Sequence, residues 1–320
     1  MESKVFAAVL FPTEEHHRIM LAQAAPEVEF YYGKLEDLPP ERLEKVQVVL
    51  GNPSAAMLPR LTGMKLLQLN SAGVNGYFLA ENALPPGAQL CNASGAYGVG
   101  IAEHMLGMTL ALKKKLHRYR DAQMAGNWVD FGKVSAITGS RTLVVGLGDI
   151  GGEYGRRMAA LGSIVAGIKR TPGTKPDWLS ELGTLNNLKE MLAEADIVFV
   201  CLPDTPATRG LFSREMLGYM KQGAILLNAG RGTAIDTEAL CDAVKSGALG
   251  GAGLDVTDPE PLPVGHRMWK IENILITPHV SGGFHLPYTH DRIVEICADN
   301  LRCLLDGQPF THVVNRKEGY

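Results

Sequence analysis

Residues 141–170 read RTLVVGLGDIGGEYGRRMAALGSIVAGIKR and decide the fold. A short, apolar, β-branched strand runs directly into the glycine-rich turn GLGDIG at 146–151, and a helical segment and a second strand follow. In such a turn Gly146 permits a tight bend, Gly148 lets a pyrophosphate approach the backbone, and Gly151 lets the helix pack against the strand. The free N–H groups at the helix N-terminus favour an anion. The stretch therefore predicts a dinucleotide-binding βαβ unit.

Strand and helix patterns alternate through the rest of the chain. Further strands, separated by helical segments, are predicted at 197–202, 224–228, 253–256 and 274–277. This alternation predicts a doubly wound parallel sheet, in which ligands bind beyond the carboxyl ends of the strands. A smaller α/β unit is predicted from four earlier apolar runs, at 5–11, 46–50, 65–69 and 89–91.

Two long helical patterns and the chain length predict the domain organisation. The first helix is predicted from 101 to 125, and the second, from 291 to 305, is expected to return to the N-terminal unit. A chain of 320 residues is long enough for two domains, each with its own core. The predicted fold is therefore α/β with two domains. A Rossmann-type dinucleotide-binding domain is placed at 100–285, and a smaller flavodoxin-like substrate domain is formed by 1–99 and 286–320.

The composition is that of an ordinary soluble globular protein and does not indicate a nucleic-acid or membrane partner. A net charge of -3 and a pI near 6.3 give no electrostatic footprint for nucleic acid or an anionic membrane. No stretch reaches about 18 uninterrupted apolar residues, so no membrane span is expected. The first residues do not resemble a signal peptide. Five cysteines without a CxxC pair favour reduced thiols in a cytoplasmic protein.

Three groups of polar residues receive structural interpretations. The lysines at 113–115 are expected to form a solvated helix face. His104 is expected to be a packed, hydrogen-bonded core histidine rather than a ligand. His16 and His17 are expected at an exposed helix start, and the chain has no HExxH motif, so no metal site is predicted.

Arg231, Glu260 and His279 each follow a predicted strand of the larger sheet. Such a set suits the reduction of a carbonyl group beside a carboxylate. The Arg231 guanidinium would bind the carboxylate in bidentate geometry. His279 would give a proton to the carbonyl oxygen as hydride arrives, and Glu260 would orient the imidazole and favour its protonated form. For each residue alone, a surface ion pair or a strand-end cap is the alternative.

The chain contains, in this order, the segments NSAGVNGY, IAEH, GLGDIG, CLPDTPATRG, LNAGRG, GLDVTDPEPLP and ITPHVSG. Together they resemble the D-isomer-specific 2-hydroxyacid dehydrogenase family over residues 65–315. The resemblance implies a two-domain, NAD(P)-dependent oxidoreductase that forms a homodimer. It also implies that the arginine binds substrate and that the glutamate and histidine form the acid/base pair.

The resemblance assigns further contacts. The substrate carboxylate would be held by backbone groups of Ala72, Gly73 and Val74. Asp255 would lie near the nicotinamide. The predicted cofactor contacts, from the glycine turn, the end of the second strand and the resemblance, are Gly146, Gly148, Asp149, Ile150, Gly151, Arg170, Thr171, Leu202, Pro203, Thr208, Ala229, Gly230 and Asp255. The chain departs from the family at Gly100, where many relatives have a small polar residue, and at Asp149, where they often carry a basic one.

The end of the second strand predicts the choice of cofactor. NAD-specific domains carry an Asp or Glu about 20 residues beyond the glycine motif, where it binds the ribose hydroxyls. Here the strand at 163–168 runs into the sequence KRT, and the first acid is Asp177. Arg170 and Thr171 would bind a 2′-phosphate, and the loop lysines would add charge. NADP(H) is therefore predicted to be preferred over NAD(H), with solvated loop cations as the alternative.

The sequence thus favours an enzyme that transfers hydride between NADP(H) and a small 2-oxo acid, with glyoxylate and hydroxypyruvate as the expected substrates. The cofactor carries the hydride and the protein positions it. One alternative is a nucleotide-sensing, corepressor-like interaction protein on the same scaffold, but the joint presence of the arginine, glutamate and histidine argues against it. Another is a different reaction on a similar domain, such as amino-acid oxidation or hydrolysis.

Overall fold

The computed structural model describes residues 4–74, 77, 84–171 and 173–315. Some predicted features fall outside these ranges. They are Asn75 and Gly76 of the segment NSAGVNGY, Pro172 in the loop after the second strand of the βαβ unit, and residues 316–320 of the predicted substrate domain.

The described residues form strands and helices that alternate along most of the chain. The strands are β1 Val5–Val9, β2 Val28–Tyr32, β3 Val48–Leu50, β4 Leu66–Gln68, β5 Gln89–Cys91, β6 Arg141–Val145, β7 Ile164–Ile168, β8 Glu181–Gly183, β9 Ile197–Val200, β10 Ile225–Asn228, β11 Gly251–Leu254 and β12 Ile274–Ile276. The helices are α1 Glu15–Ala24, α2 Pro40–Leu43, α3 Gly98–Lys114, α4 Leu116–Met124, α5 Asp149–Ala160, α6 Leu188–Glu194, α7 Arg214–Leu217, α8 Thr237–Lys245 and α9 Pro287–Leu305.

The chain divides into two compact units. The smaller unit contains the described residues of Met1–Tyr97 and Phe284–Tyr320, and the larger unit is Gly98–Gly283. The long C-terminal helix α9 therefore belongs with the N-terminal strands, although almost 200 residues separate them in the sequence. The predicted fold class, α/β with two parallel sheets, is confirmed.

The larger unit has a seven-stranded sheet in the order β12-β11-β10-β9-β6-β7-β8, and every strand pair is parallel. The central strands β9 and β10 are buried along their whole length, as expected when helices cover both faces of a parallel sheet. The strand order reverses between β6 and β9. Ligands of doubly wound sheets bind beyond the carboxyl ends of the strands at this reversal.

The smaller unit has a five-stranded parallel sheet in the order β2-β1-β3-β4-β5. This is the flavodoxin-like order. Its core is made by apolar side chains of the strands and of the short turns between them, including Phe6, Val49 and Leu67. Asn300 of α9 joins this core by donating a hydrogen bond from Nδ2 to Oε1 of Gln68, at 2.6 Å.

Several local predictions were wrong. The helix predicted from 101 to 125 is two helices, because Lys115 adopts a left-handed conformation with φ 57°. Lys113 is not on a solvated face: it is 8% exposed, and burial lowers the pKa of its ammonium. Strand β11 begins two residues earlier than predicted, and β2 and β8 were not predicted.

The prediction of an exposed helix start is correct for His16 but was wrong for His17, which is only 1% exposed. These side chains and Asp291 lie close enough together to hold a metal ion. However, the Glu14 N–H donates to Nδ1 of His17 at 3.1 Å, so the proton of the neutral ring is on Nε2, which donates to Asp291 Oδ1 at 2.9 Å. A protonated Nε2 has no lone pair for a metal. The absence of a metal site stays a prediction.

Among the described helices, none combines the length and the apolar character that a bilayer crossing requires.

Candidate functional site

The glycine turn joins β6 to α5 with very close backbone packing. Gly146 has φ 106°, and a Cβ at this position would overlap the carbonyl group of Cys201. A Cβ at Gly151 would overlap the Gly146 carbonyl oxygen. A Cβ at Gly148 would meet no atom of the described residues within 4 Å, so packing against them does not require glycine there. Gly148 is also the N-cap of α5 and makes no side-chain cap, which leaves open space in front of the helix N-terminus.

Asp149 and Ile150 form the first turn of α5, and the Asp149 carboxylate turns towards another helix. A Cβ on Gly98, the first residue of α3, would overlap the carboxylate of Asp149. The carboxylate therefore lies beside the N-terminus of α3, where the positive end of the helix dipole stabilises a negative charge. The acid that departs from the family pattern is thus held against α3.

The loops after β9 and β10 are packed against each other at the strand reversal. A Cβ on Gly230 would lie 2.5 Å from the backbone nitrogen of Leu202 and 2.6 Å from its oxygen. The Thr208 hydroxyl donates to the Pro203 carbonyl at 2.6 Å and accepts from the Thr205 N–H at 2.9 Å. The Thr208 side chain therefore shapes the loop from Pro203 to Thr208. Ala229, directly after β10, is buried.

Arg231 is held at the end of β10 by a residue that the sequence analysis did not identify. Asn228, 1% exposed, donates from Nδ2 to the Arg231 carbonyl at 3.0 Å and accepts from the Gly230 N–H at 3.0 Å. The Arg231 guanidinium donates to the Gly230 carbonyl through Nη1 at 2.8 Å. An asparagine that ends a buried strand before a glycine is the sequence signal for such a clamp.

Glu260 and His279 form a hydrogen-bonded pair. Nδ1 of His279 lies 2.7 Å from Oε1 of Glu260, and because a carboxylate only accepts, Nδ1 donates. Both side chains are about half exposed, at 47% and 43%. Nε2 of His279 has no hydrogen-bond partner among the described residues. The imidazole therefore has one nitrogen fixed by a carboxylate and one nitrogen open, the arrangement of a general acid or base.

Asp255 directly follows β11 and is 2% exposed. Its carboxylate accepts hydrogen bonds from the segment Thr277–Ser281, which carries His279. Thr277 in turn contacts His104, which is half-buried and hydrogen-bonded, as predicted. Neither Thr277 nor Ser281 was identified from the sequence, because a hydroxyl side chain in a loop has no distinctive pattern.

The loop after β7 carries the basic residues on which the predicted preference for NADP(H) rests. Arg170 and Thr171 are exposed, and the Lys169 N–H extends the pairing with β8 by donating to the Gly183 carbonyl at 3.0 Å. Lys175 is engaged, because its ammonium donates to the Leu179 carbonyl at 2.5 Å. The Lys175 ammonium is therefore used in a hydrogen bond within its own loop.

The loop after β4 in the smaller unit presents backbone N–H groups. The carbonyls of Ala72 and Gly73 accept hydrogen bonds from Asn92 Nδ2 at 3.0 Å and from Ser71 Oγ at 2.7 Å. The N–H groups of Ala72, Gly73 and Val74 donate no hydrogen bond to any other described residue. Consecutive free N–H groups of this kind can bind an anion. Asn92 was missed by the sequence analysis.

Cys201, at the end of β9, is not a nucleophile. Burial, together with the charge of Asp149, raises the pKa of its thiol to about 12, although the charge of Arg231 acts in the opposite direction. A thiol with such a pKa stays protonated near neutral pH. The loops after β6, β9 and β10 are thus close enough for their charges to act on one buried thiol.

The comparisons with known proteins agree with these observations. The family model for the D-isomer specific 2-hydroxyacid dehydrogenase, NAD binding domain, matches residues 106–281. A solved D-isomer specific 2-hydroxyacid dehydrogenase from Xanthobacter autotrophicus Py2, in complex with NADPH and MES, is 28% identical with a TM-score of 0.84, covering 99% of this chain and 100% of that one.

Two curated relatives are similar over most of this chain. The glycerate dehydrogenase of Methylorubrum extorquens is 28% identical over 286 residues, which are 84% of this chain and 86% of that protein. The D-3-phosphoglycerate dehydrogenase of Mycobacterium leprae is 34% identical over 241 residues, which are 73% of this chain but only 44% of that longer protein.

Proposed function

Because the chain belongs to the D-isomer specific 2-hydroxyacid dehydrogenase family, whose members are NAD(P)-dependent oxidoreductases, we propose that it reduces small 2-oxo acids, with glyoxylate and hydroxypyruvate as its best substrates. The observation that carries this proposal is the His279–Glu260 pair, in which one imidazole nitrogen is open. The similarity to a glycerate dehydrogenase supports the substrate class, because glycerate is the 2-hydroxy acid that corresponds to hydroxypyruvate.

The proposed cofactor domain is 100–285, and the proposed substrate domain is 1–99 with 286–320. The glycine turn fits a dinucleotide: a pyrophosphate would approach the backbone at Gly148 and the N-terminal turn of α5, where no atom of the described residues fills the space. The contacts of the bound dinucleotide would come from the loops at the strand reversal, at Asp149, Ile150, Gly151, Leu202, Pro203, Thr208, Ala229, Gly230 and Asp255.

In the proposed reaction, NADPH supplies the hydride when it is bound. Arg231 would bind the substrate carboxylate. The N–H groups of Ala72, Gly73 and Val74, which donate to no other described residue, are proposed to bind it as well. Nε2 of His279 would give its proton to the carbonyl oxygen, and Glu260 would hold the ring through Nδ1. The protein's part is therefore to orient the substrate and to deliver one proton.

A panel assay tests the substrate class. Purified protein is mixed with NADPH or NADH and with glyoxylate, hydroxypyruvate, 3-phosphohydroxypyruvate, pyruvate and a bulky aromatic 2-oxo acid, and absorbance at the reduced-nicotinamide band is followed. We expect glyoxylate and hydroxypyruvate to give the highest kcat/KM. A preference for 3-phosphohydroxypyruvate would instead indicate the substrate of the phosphoglycerate dehydrogenases. No turnover of any 2-oxo acid would favour a corepressor-like, nucleotide-sensing role.

The same assay tests the proposed preference for NADP(H). No carboxylate stands at the end of β7, and Arg170 and Thr171 are exposed there. A charge-assisted contact of about 1.5–3 kcal/mol corresponds to roughly a tenfold to hundredfold preference for NADPH in kcat/KM. Arg170→Ala should remove most of it. Lys175→Ala is the matched control with a smaller effect, because the Lys175 ammonium already donates to a carbonyl. A parent protein that prefers NADH contradicts the proposal.

The proposed quaternary structure is a homodimer. The end of α4 and the segment that follows it expose apolar side chains, including Met124 at 69% and Trp128 at 105% of their full area. Exposed apolar residues of this size close together in the chain are typical of an interface. Light scattering after size-exclusion chromatography should give twice the chain mass. Trp128→Ser should shift the distribution towards the monomer, and a monomeric parent would exclude the homodimer.

A further inference from the structure

The buried carboxylate of Asp255 is fully used in holding the segment that carries His279. Its Oδ1 accepts from the Thr277 hydroxyl at 2.6 Å and from the Val280 N–H at 3.1 Å. Its Oδ2 accepts from the Ser281 N–H at 3.1 Å and from the Ser281 hydroxyl. Four donors satisfy most of the lone pairs of one carboxylate. The two oxygens therefore clamp the chain on both sides of His279.

The residue between these attachments has an unusual backbone conformation. His279 has φ 53°, in the left-handed region that non-glycine residues rarely adopt. Its own N–H donates to the backbone carbonyls of Asp255 at 2.8 Å and of Thr277 at 3.0 Å. Such a conformation persists only where surrounding contacts over-determine it. The bonds from Asp255 to the flanking residues provide that restraint.

The hydrogen bonds through Thr277 run in one direction and begin at His104. A carboxylate only accepts, so the Thr277 hydroxyl proton points at Asp255, and the Thr277 oxygen is left as an acceptor. Nε2 of His104 lies 3.0 Å from that oxygen and must therefore donate to it. His104 lies on α3, so the chain of donors runs from α3 through Thr277 to the carboxylate under the His279 segment.

We propose that His104 and Thr277 are positioning residues that, with Asp255, hold His279 in its left-handed conformation with Nδ1 against Glu260. The proposal rests on the proposed role of His279 as the proton donor. Without the donor at His104 the Thr277 hydroxyl is free to rotate, and without the Thr277 hydroxyl one side of the clamp is lost. The imidazole then spends less time facing Glu260, so proton delivery slows while the binding of substrate and cofactor is unchanged.

The test compares Thr277→Val, which removes the hydroxyl at nearly constant volume, with Thr277→Ser, which keeps it. We expect Thr277→Val to lower kcat by about twofold to tenfold, the range of one net hydrogen bond, with KM for the 2-oxo acid and the Kd of NADPH unchanged. Thr277→Ser should restore kcat. His104→Leu should lower kcat and His104→Gln, which keeps an N–H donor, should recover part of it. The urea midpoint is measured for every variant.

The double variant His104→Leu/Thr277→Val gives the sharpest result. Because the effect of His104 passes through the Thr277 hydroxyl, the double variant should lose no more kcat than Thr277→Val alone. If the loss of kcat in the double variant is the product of the two single losses, the proposal is overturned. A Thr277→Ser protein that is as slow as Thr277→Val would also overturn it. If Thr277→Val does not fold, His104→Leu with an unchanged kcat overturns it equally.

A failure of the proposed function is distinguishable from a failure of this inference. If His279→Ala is as active as the parent protein, His279 is not the proton donor and the proposed function fails. If His279→Ala is inactive while Thr277→Val and His104→Leu keep the parent kcat, the proposed function stands and the positioning role is wrong.

Discussion

The two segments that flank β12 each carry a histidine paired with a glutamate. Before the strand, Nε2 of His266 lies 3.0 Å from Glu238; after it, Nδ1 of His279 lies 2.7 Å from Glu260. The other nitrogen differs. Nδ1 of His266 accepts from the Met268 N–H at 3.1 Å and caps a 3-10 turn, whereas Nε2 of His279 has no partner in the described parts of the chain.

This difference decides which pair suits proton transfer. The side chain of His266 is 15% exposed and both of its nitrogens are used, so a further proton on its ring would break the cap. The side chain of His279 is 47% exposed, and its open nitrogen can give or take a proton while the carboxylate holds the ring. A carboxylate beside a histidine is therefore not enough to make that histidine a proton donor, because its second nitrogen must also be open.

The largest expected effect separates the two histidines directly. His279→Ala should lower the reduction rate by roughly 10²–10⁴-fold, because the proton donor is lost, while NADPH binding stays nearly intact. His266→Ala is the matched control and should keep the parent kcat, although losing a cap should lower its unfolding free energy. Steady-state kinetics and fluorescence titration with NADPH measure both. Equal loss of activity in the two variants would mean that the open nitrogen is not the relevant difference.

The next effect concerns binding of the substrate carboxylate. Arg231→Ala should raise KM steeply and also lower kcat, for a combined loss of roughly tenfold to a hundredfold in kcat/KM, because a charged bidentate contact is worth about 1.5–3 kcal/mol. Arg214→Ala is the control, since Arg214 makes a surface ion pair with Asp242. An Arg231→Ala enzyme with parent kinetics on every accepted 2-oxo acid would remove this arginine from the site.

A smaller effect tests the glutamates of the two pairs. Glu260→Gln replaces the charged acceptor of the Nδ1 hydrogen bond by a neutral amide, which holds the His279 ring less firmly, so kcat should fall by about twofold to tenfold. Glu238→Gln changes the other pair and should keep the parent kcat. Steady-state kinetics are measured for all three proteins. A Glu260→Gln protein with the parent kcat would show that the carboxylate does not position the proton donor.

The sequence was informative where a feature depends on local pattern. The glycine turn and the residues just past the strands were predictable, because parallel strands bring their carboxyl ends to one edge of a sheet. The start of β11 was not predictable, because the glycines at its start do not form the β-branched pattern of a buried strand. They are required by packing instead: a Cβ on Gly253 would lie 2.7 Å from the Leu227 side chain and 3.1 Å from Met108 Sδ.

Features that depend on contacts between distant residues could not be predicted. The break at Lys115 goes with a hydrogen bond from its ammonium to the carbonyl of Phe131, at 2.5 Å. The clamp on the His279 segment joins Asp255 to residues more than 20 positions later. The burial of His17 depends on α9, which is separated from it by most of the chain. A charge or polarity pattern along the sequence contains none of these partners.

The histidines of the smaller unit extend the comparison to stability. His290 donates from Nε2 to the Pro12 carbonyl at 2.8 Å, and its ring centre lies 4.0 Å from that of His17. Burial lowers the pKa of His290 from its usual 6.5, and the nearby His17 lowers it further, while the Pro12 carbonyl opposes the shift. Like His266, this histidine is used structurally rather than as an open acid.

The smallest expected effect follows from that lowered pKa. Between the pKa of His290 in the folded chain and 6.5, the unfolded state binds more protons than the folded state. Its contribution to the unfolding free energy is therefore fully present above about pH 6.5 and is lost as the pH falls through the folded value. The hydrogen bonds from His16 and His17 lower the pKa of Asp291 from 3.8, so Asp291 changes the unfolding free energy over a separate, more acidic pH range.

Urea unfolding at pH 7.5, 6.5 and 5.5 measures the contribution of His290. The unfolding free energy should depend less on pH in His290→Gln, which keeps an N–H donor for Pro12, than in the parent protein. An identical pH dependence in His290→Gln and the parent would exclude His290 as a titrating group of the folded state.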